Sequence, residues 1–300
     1  MREYRRKYGI SYFFIVITVM TALISFEIAE GKGVPTGDVV YAVNASAFNQ
    51  TGGDPATSSG TNPFVSQTVF ESLATHDYMV RDIPALAKSW KTAENWSHID
   101  IFLRDDIHTI KFHNGAPVTA EDVKYSIETY MRIDLKWLFT PLYKRGVKQI
   151  EIVNPHQIRV HLNRPFLKFI GRFSIAGGIF PKEYREKVGD SGFADKPIGA
   201  GPFEWVDYKQ DQWFKVEAVQ AHYRKVPEIK TLKFIYVPDN STRLAMLKAG
   251  EVDIAQMNSP QVPQVKADSR LRIVLGKYYS GMVLVYADLA KKKEIVVVCL

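Results

Sequence analysis

Cysteine is almost absent. The single thiol, Cys299, is the penultimate residue, so there is no internal disulfide framework, and the redox compartment is left open. No G-x-x-x-x-G-K run occurs to cradle phosphates. His108 with His113, and His156 with His161, stand five apart. That spacing puts a pair on opposite faces of a strand and misses the i, i+4 register of a helix, so no zinc site is expected. Charge of one sign is also scarce. The net +7 is spread along the chain without a basic face interleaved with stacking aromatics, which argues against nucleic acid.

What is present is an ordinary globular composition with an unusual start. Three hundred residues, 46% apolar and 24% charged, suffice for a large core in one or two domains. Residues 1–8 carry Arg2, Arg5, Arg6 and Lys7, and residues 10–28 are largely apolar. This reads as a secretory signal, cleaved or retained as an anchor, because Ala29 follows Glu27 and Ile28 instead of a small-x-small site. No cysteine follows the apolar run, so a lipoprotein is not expected. In either case the remaining chain is expected outside the cytoplasm.

The central stretch, residues 99–131, commits its own local structure. Ile99, Ile101 and Leu103 alternate with Asp100, Phe102 and Arg104, the period of a half-buried strand. A second short strand is predicted over residues 110–112, then a turn at Asn114 and Gly115 with positive φ. Thr119 caps the following helix, Glu121 and Asp122 suit its positive end, and Val123, Ile127, Tyr130 and Met131 form its apolar face. Upstream, a strand over residues 39–43 leads into a Gly/Ser/Thr/Asn-rich loop. Asn62 and Pro63 then open a helix burying Val65, Val69, Phe70 and Leu73.

Further along, residues 84–90 read as a short helix with Trp90 in the core, and residues 147–162 as a hairpin turning at Asn154 and Pro155. Gly199, Gly201 and Pro202 make a tight backbone crossing. Residues 203–219 form a hairpin about Lys209, Gln210 and Asp211, and residues 232–237 a strand apolar on both faces. Asn240 or Ser241 caps the next helix and Gly250 closes it. Gly189, Asp190, Ser191 and Gly192 spell the GDSG of trypsin-like nucleophiles, but Phe193 and Ala194 follow, so a turn is the expectation.

KFHNGAPVTAEDVKYS closely resembles the signature of the family 5 extracellular solute-binding proteins, the peptide, nickel and opine receptors of ABC importers. TVFESL, the run from Pro84 to Trp90, the L-x-x-P-F ending at Phe166, and GEVDIA from Gly250 are similar to family motifs in the family's order. The resemblance covers residues 37–290. Ala200 stands where the family usually has Thr.

The resemblance implies an α/β, periplasmic binding protein-like type II (class C) fold, incomplete here, with mixed β-sheets and flanking helices in two lobes. Residues 1–33 are then signal or anchor, 34–76 the first segment of lobe I, 77–195 lobe II as the family-specific extra domain, and 196–288 the second segment of lobe I. Residues 289–300, ending KKKEIVVVCL, are an atypical, bare apolar tail where a third lobe would follow. Ser59, Gly60, Thr61 and Asn62 align with the cleft edge, and Tyr278 and Tyr279 with its aromatic lining. Gly199, Gly201 and Pro202 fall at a hinge or structural crossing.

The implied function is non-enzymatic capture of peptides for import, by a monomer that presents its ligand to a membrane permease without metal or cofactor. The alternatives are a truncated or frameshifted remnant of such a receptor, or an exported hydrolase using Ser191.

Overall fold

A computed structural model describes residues 36–43, 52–57, 63–76, 81–275 and 295–299. Its strands are β1 (Asp38–Val43), β2 (Ala74–His76), β3 (Asp82–Pro84), β4 (Ala87–Thr92), β5 (His98–Leu103), β6 (Val147–Asn154) and β7 (Gln157–Leu162). They continue with β8 (Phe203–Lys209), β9 (Trp213–Ala218), β10 (Thr231–Tyr236), β11 (Ile254–Met257), β12 (Leu271–Leu275) and β13 (Ile295–Cys299). The α-helices are α1 (Pro63–Thr68), α2 (Ala120–Tyr130), α3 (Thr140–Gly146), α4 (Phe169–Ala176), α5 (Lys182–Asp195), α6 (Asn240–Ala249) and α7 (Val262–Lys266). No helix among the described residues is long and apolar enough to cross a membrane.

Three sheets result. A seven-stranded sheet has the order β12-β13-β11-β1-β10-β9-β8, a four-stranded one β4-β5-β7-β6, and β2 pairs with β3 alone. In the large sheet β1, β10, β11, β12 and β13 run parallel, and the β8–β9 hairpin joins β10 antiparallel. Val39, Tyr41 and Val43 of β1 enter a core that also takes Ile101 and Val160 of the four-stranded sheet. Ala42 points to the other face, onto Leu244, Leu247 and Val265. The two larger sheets thus share one core. Across its large-sheet side, Trp205 stacks on Phe214 at 5.3 Å, Phe214 on Phe234 at 4.5 Å, and Phe234 meets Tyr41 at 5.6 Å. One aromatic from each of four adjacent strands makes a cross-strand ladder.

The central stretch forms largely as its pattern predicts. β5 alternates buried and half-buried residues, and Gly115 turns with φ 84°. Thr119 starts α2 with a capping box: its hydroxyl accepts from Asp122 N, and Asp122 accepts from Thr119 N at 2.9 Å. Asp122 also accepts from Lys182 N at 2.9 Å, joining the starts of α2 and α5. Thr119→Ala is therefore expected to cost about 1 kcal/mol in urea unfolding. No change in the midpoint would mean that the cap contributes nothing.

Several expectations are corrected. Residues 110–112 are no strand: an isolated bridge joins Lys111 to Pro117, and proline has no N–H with which to extend a ladder. Asn114 keeps negative φ and instead accepts from Ala116 N through its side chain. α1 ends at Thr68, whose hydroxyl bonds back to Phe64 O, so Val69, Phe70 and Leu73 are buried beyond the helix. Residues 87–92 are a strand because β5 offers a free edge, and Trp90 is only half-buried opposite Ile101. The cap of α6 is Asp239, which accepts from Thr242 N at 2.7 Å. The supposedly bare tail is paired on both sides as β13, between β11 and β12.

The hairpins of β6 with β7 and β8 with β9 form as expected, the second turning through Asp211 at φ 58°. Gly250 closes α6 at φ 75°.

Candidate functional site

Five parallel strands bring five carboxyl ends to one edge of the large sheet. Open α/β sheets take ligands outside that edge, where the loops leave and no strand obstructs. The chain leaves β1 at Val43 into residues 44–62 and leaves β12 at Leu275 into residues 276–294. Those two stretches contain every residue expected to touch ligand. Ser59, Gly60, Thr61, Asn62, Tyr278 and Tyr279 themselves lie outside the described residues.

The described part of the edge is knitted by Arg243, whose side chain is fully buried. Its guanidinium donates to Gln256 O at 2.6 Å and Pro238 O at 3.0 Å, and also to Val237 O and Asn240 Oδ1. It thereby ties the segments following β10 to β11, using donors that backbone carbonyls satisfy without a carboxylate. Sequence reading missed this residue, since nothing separates a buried arginine on an amphipathic helix from an exposed one.

The crossing of Gly199, Gly201 and Pro202 is as tight as expected. A Cβ on Gly199 would lie 2.0 Å from Val69 O, and one on Gly201 2.5 Å from Thr68 O. Gly201 N donates to Val69 O at 3.0 Å, His113 N to Gly199 O at 2.9 Å, and Val219 N to Pro202 O at 2.9 Å. The His113 ring completes the joint: Nε2 lies 3.0 Å from Gly201 O, and Gly199 N points at Nδ1 from 3.4 Å. This pattern requires the neutral Nε2–H tautomer, because a second ring proton would face an N–H.

Burial lowers the His113 pKa from 6.5 to about 4. Above pH 6.5 both folded and unfolded chains keep the ring neutral. As pH falls from 6.5 towards 4 the unfolded chain takes the proton first, so the folded state loses about 2–3 kcal/mol. Urea unfolding across that range should show the loss, and His113→Gln should flatten it. An equally steep profile in the variant would assign the loss to other groups.

A second joint fastens residues 52–57, downstream of β1 on the loop towards the ligand edge. Gly53 N donates to Ala194 O at 2.8 Å, and a Cβ on Gly52 would lie 2.1 Å from that oxygen. Asp54 receives both arms of Arg185, at 2.6 and 3.0 Å, plus Ala56 N at 2.9 Å. The Asp54 and Arg185 side chains are 0% and 1% exposed. The guanidinium also lies over the adjoining rings of Phe180 and Phe193, 4.6 and 4.5 Å from their centroids, and reaches Asp190 at 2.9 Å. Desolvation lowers the Arg185 pKa, but Asp54 and Asp190 more than offset it and hold the cation. Burial raises the Asp54 carboxyl against that same cation.

The GDSG run is absorbed by this joint. Gly189, at φ 70°, breaks α5 into two helical parts. Asp190 is committed to Arg185 and Arg132, and Ser191 is exposed. Another buried carboxylate, Glu71, accepts from Arg224 at 2.8–3.0 Å with His222 at 3.4 Å. Burial works against its charge, yet Arg224 and His222 together hold its pKa below the usual value. Among the described residues no group of three or more His, Cys, Asp or Glu could hold a metal ion.

A family model for bacterial extracellular solute-binding proteins, family 5 (middle), matches residues 83–295. The chain belongs to that family. It is 28% identical over 233 residues to the glutathione-binding protein GsiB of Salmonella typhi, covering 76% of this chain and 44% of that protein. It is 26% identical over 249 residues to the oligopeptide-binding protein AppA of Bacillus subtilis, covering 75% and 44%. Among solved structures it resembles NikZ from Campylobacter jejuni in complex with Ni(L-His), with TM-score 0.68, 27% identity, and 79% and 46% of the two chains covered. The chain spans less than half the length of these relatives. Its fold is the periplasmic binding protein-like one, in the part of that fold which it spans.

Proposed function

We infer that this chain is the extracytoplasmic solute-binding component of an ABC importer, and that its ligands are peptides. The observation that supports the reading is the shared edge: both segments expected to contact ligand follow carboxyl ends of parallel strands in one sheet. Residues 59–62 and the Tyr278–Tyr279 pair would then form one wall of the cleft. An extended peptide held there would gain main-chain hydrogen bonds like an added strand. The relatives are named for binding oligopeptides, glutathione and a nickel–histidine complex, which keeps peptides first among the candidates.

In this reading residues 34–76 and 196–288 make lobe I, residues 77–195 make lobe II, and the chain acts as a monomer delivering ligand to a permease outside the cytoplasm. Nothing in the role calls for covalent chemistry. The crossing at Gly199 and Gly201 serves as a rigid joint and not a moving hinge, because four backbone or ring contacts fix it. Closure over ligand then works by population shift, paid only by extra affinity for the closed form.

The test is thermal unfolding of the full chain with di- to nonapeptides, with glutathione and with nickel–histidine. A peptide-dependent rise in Tm that Tyr278→Ala or Tyr279→Ala abolishes supports the reading. A rise with nickel–histidine alone changes the ligand class, and no rise with any of these probes rejects ligand capture by this chain.

A further inference from the structure

Residues 136–146 and 163–176 form one layer, which also packs through α4 on α1. The Tyr143 ring packs on Phe166 and Phe169 at 5.0 Å each, Trp137 Nε1 donates to Ala176 O at 3.1 Å, and Asn163 N donates to Gly146 O at 2.8 Å. These contacts join α3 to α4 and turn the large aromatic rings inward. Three aliphatic side chains are left outside: Leu138, Leu167 and Ile175 are 51%, 80% and 38% exposed. Leu167 lies in the turn just before α4, and Ile175 near the end of that helix.

The charge of this layer has one sign. The two segments hold Lys136, Lys144, Arg145, Arg164, Lys168 and Arg172, and no Asp or Glu. Nearby Arg132 is paired with Asp134 and Asp190, whereas none of the six has a carboxylate partner among the described residues. Arg172 lies over the Phe139 ring at 5.1 Å, and Arg145 donates to Pro141 O at 2.9 Å. The carboxylate that approaches from β3, Asp82, is taken by His76 at 2.9 Å. Two segments totalling 25 residues with six cations and no acid depart sharply from a chain whose totals are 39 and 32.

We propose that this layer docks on the anionic face of a lipid bilayer. Aliphatic side chains enter the headgroup region while long cationic stems reach the phosphates around them. Protein interfaces are anchored instead by exposed Trp and Tyr, and here those rings are turned into the core. The complementary partner is therefore a surface that is fluid, anionic and apolar just beneath its charge.

Co-sedimentation of the full chain with vesicles tests this, using phosphatidylcholine alone or with about one third phosphatidylglycerol. Binding is expected to be stronger to the anionic vesicles, and that excess is weakened by salt. L138S/L167S/I175S and, separately, K144E/R145E/K168E should each lower partitioning about ten-fold or more at unchanged Tm. Because residues 10–28 can insert by themselves, the quantity read is the ratio of variant to wild type. Should a triple variant fail to fold, Leu167→Glu alone, at the most exposed of the three sites, gives the same readout. Variants that bind like wild type, or equal binding to both vesicle types, would overturn the proposal. Capture by a polyglutamate matrix without vesicle binding would also overturn it, assigning the layer to an acidic protein.

Discussion

Arg185→Met is expected to destabilise the fold by about 3–5 kcal/mol, the cost of leaving a buried charge without its partner. The reason lies in the geometry: Asp54 is fully buried, and both of its oxygens are engaged by the guanidinium that the substitution removes. Without that cation, burial outweighs the bond from Ala56 N, and the Asp54 carboxyl titrates above its unfolded value. A raised folded pKa makes the deficit smallest below about pH 4 and larger as pH rises. The double variant Asp54→Asn/Arg185→Met should recover much of the loss, since neither charge is then stranded. Equilibrium urea unfolding of the three variants at pH 4 and 7 measures all of this. A pH-independent loss below 1 kcal/mol in Arg185→Met would show that the pair contributes little.

The second large effect is steric. Gly199→Ala places a methyl group 2.0 Å from Val69 O, and the obstacle is backbone, which no rotamer change can move aside. The cost is about 3 kcal/mol or more, at the upper end of overpacking. Gly115→Ala supplies the comparison. It has φ 84° and nothing within 4 Å of an added Cβ, so only the conformational cost of about 1–2 kcal/mol applies. If the two variants unfold at the same urea concentration, the crossing is looser than its hydrogen bonds imply.

These two sites differ in how much of them can be read in advance. The tight crossing was legible because two glycines and a proline in four residues leave few other uses, and a family motif fell on the same place. Even so, the sequence could not say what the crossing touches, and His113 stood out only as half of a histidine pair with the wrong spacing for zinc. The Asp54–Arg185 pair left no trace at all, because its members are 131 residues apart. Asp54 sits in a loop that composition marks as solvated, and Arg185 on a helix whose other residues are mainly polar. The GDSG run shows the reverse: a motif conspicuous in one dimension becomes a helix break and an ion-pair acceptor in three.

Local structure was determined by local chemistry. Period two in β5, the Thr119 cap with its acidic first turn, Gly115 at positive φ and Gly250 at a helix end each follow from the residue's own stereochemistry, so the chain alone specifies them. Where a neighbour decides, the sequence misleads. Residues 87–92 became a strand because β5 had an edge to pair, residues 295–299 became one between β11 and β12, and residues 110–112 failed to become one because Pro117 opposes them. Burial of charge belongs to this second kind. Whether Asp54, Glu71, Arg185 or Arg243 is solvated or buried depends on segments far along the chain. Desolvation and pairing are properties of that assembled surrounding, which tertiary structure alone supplies.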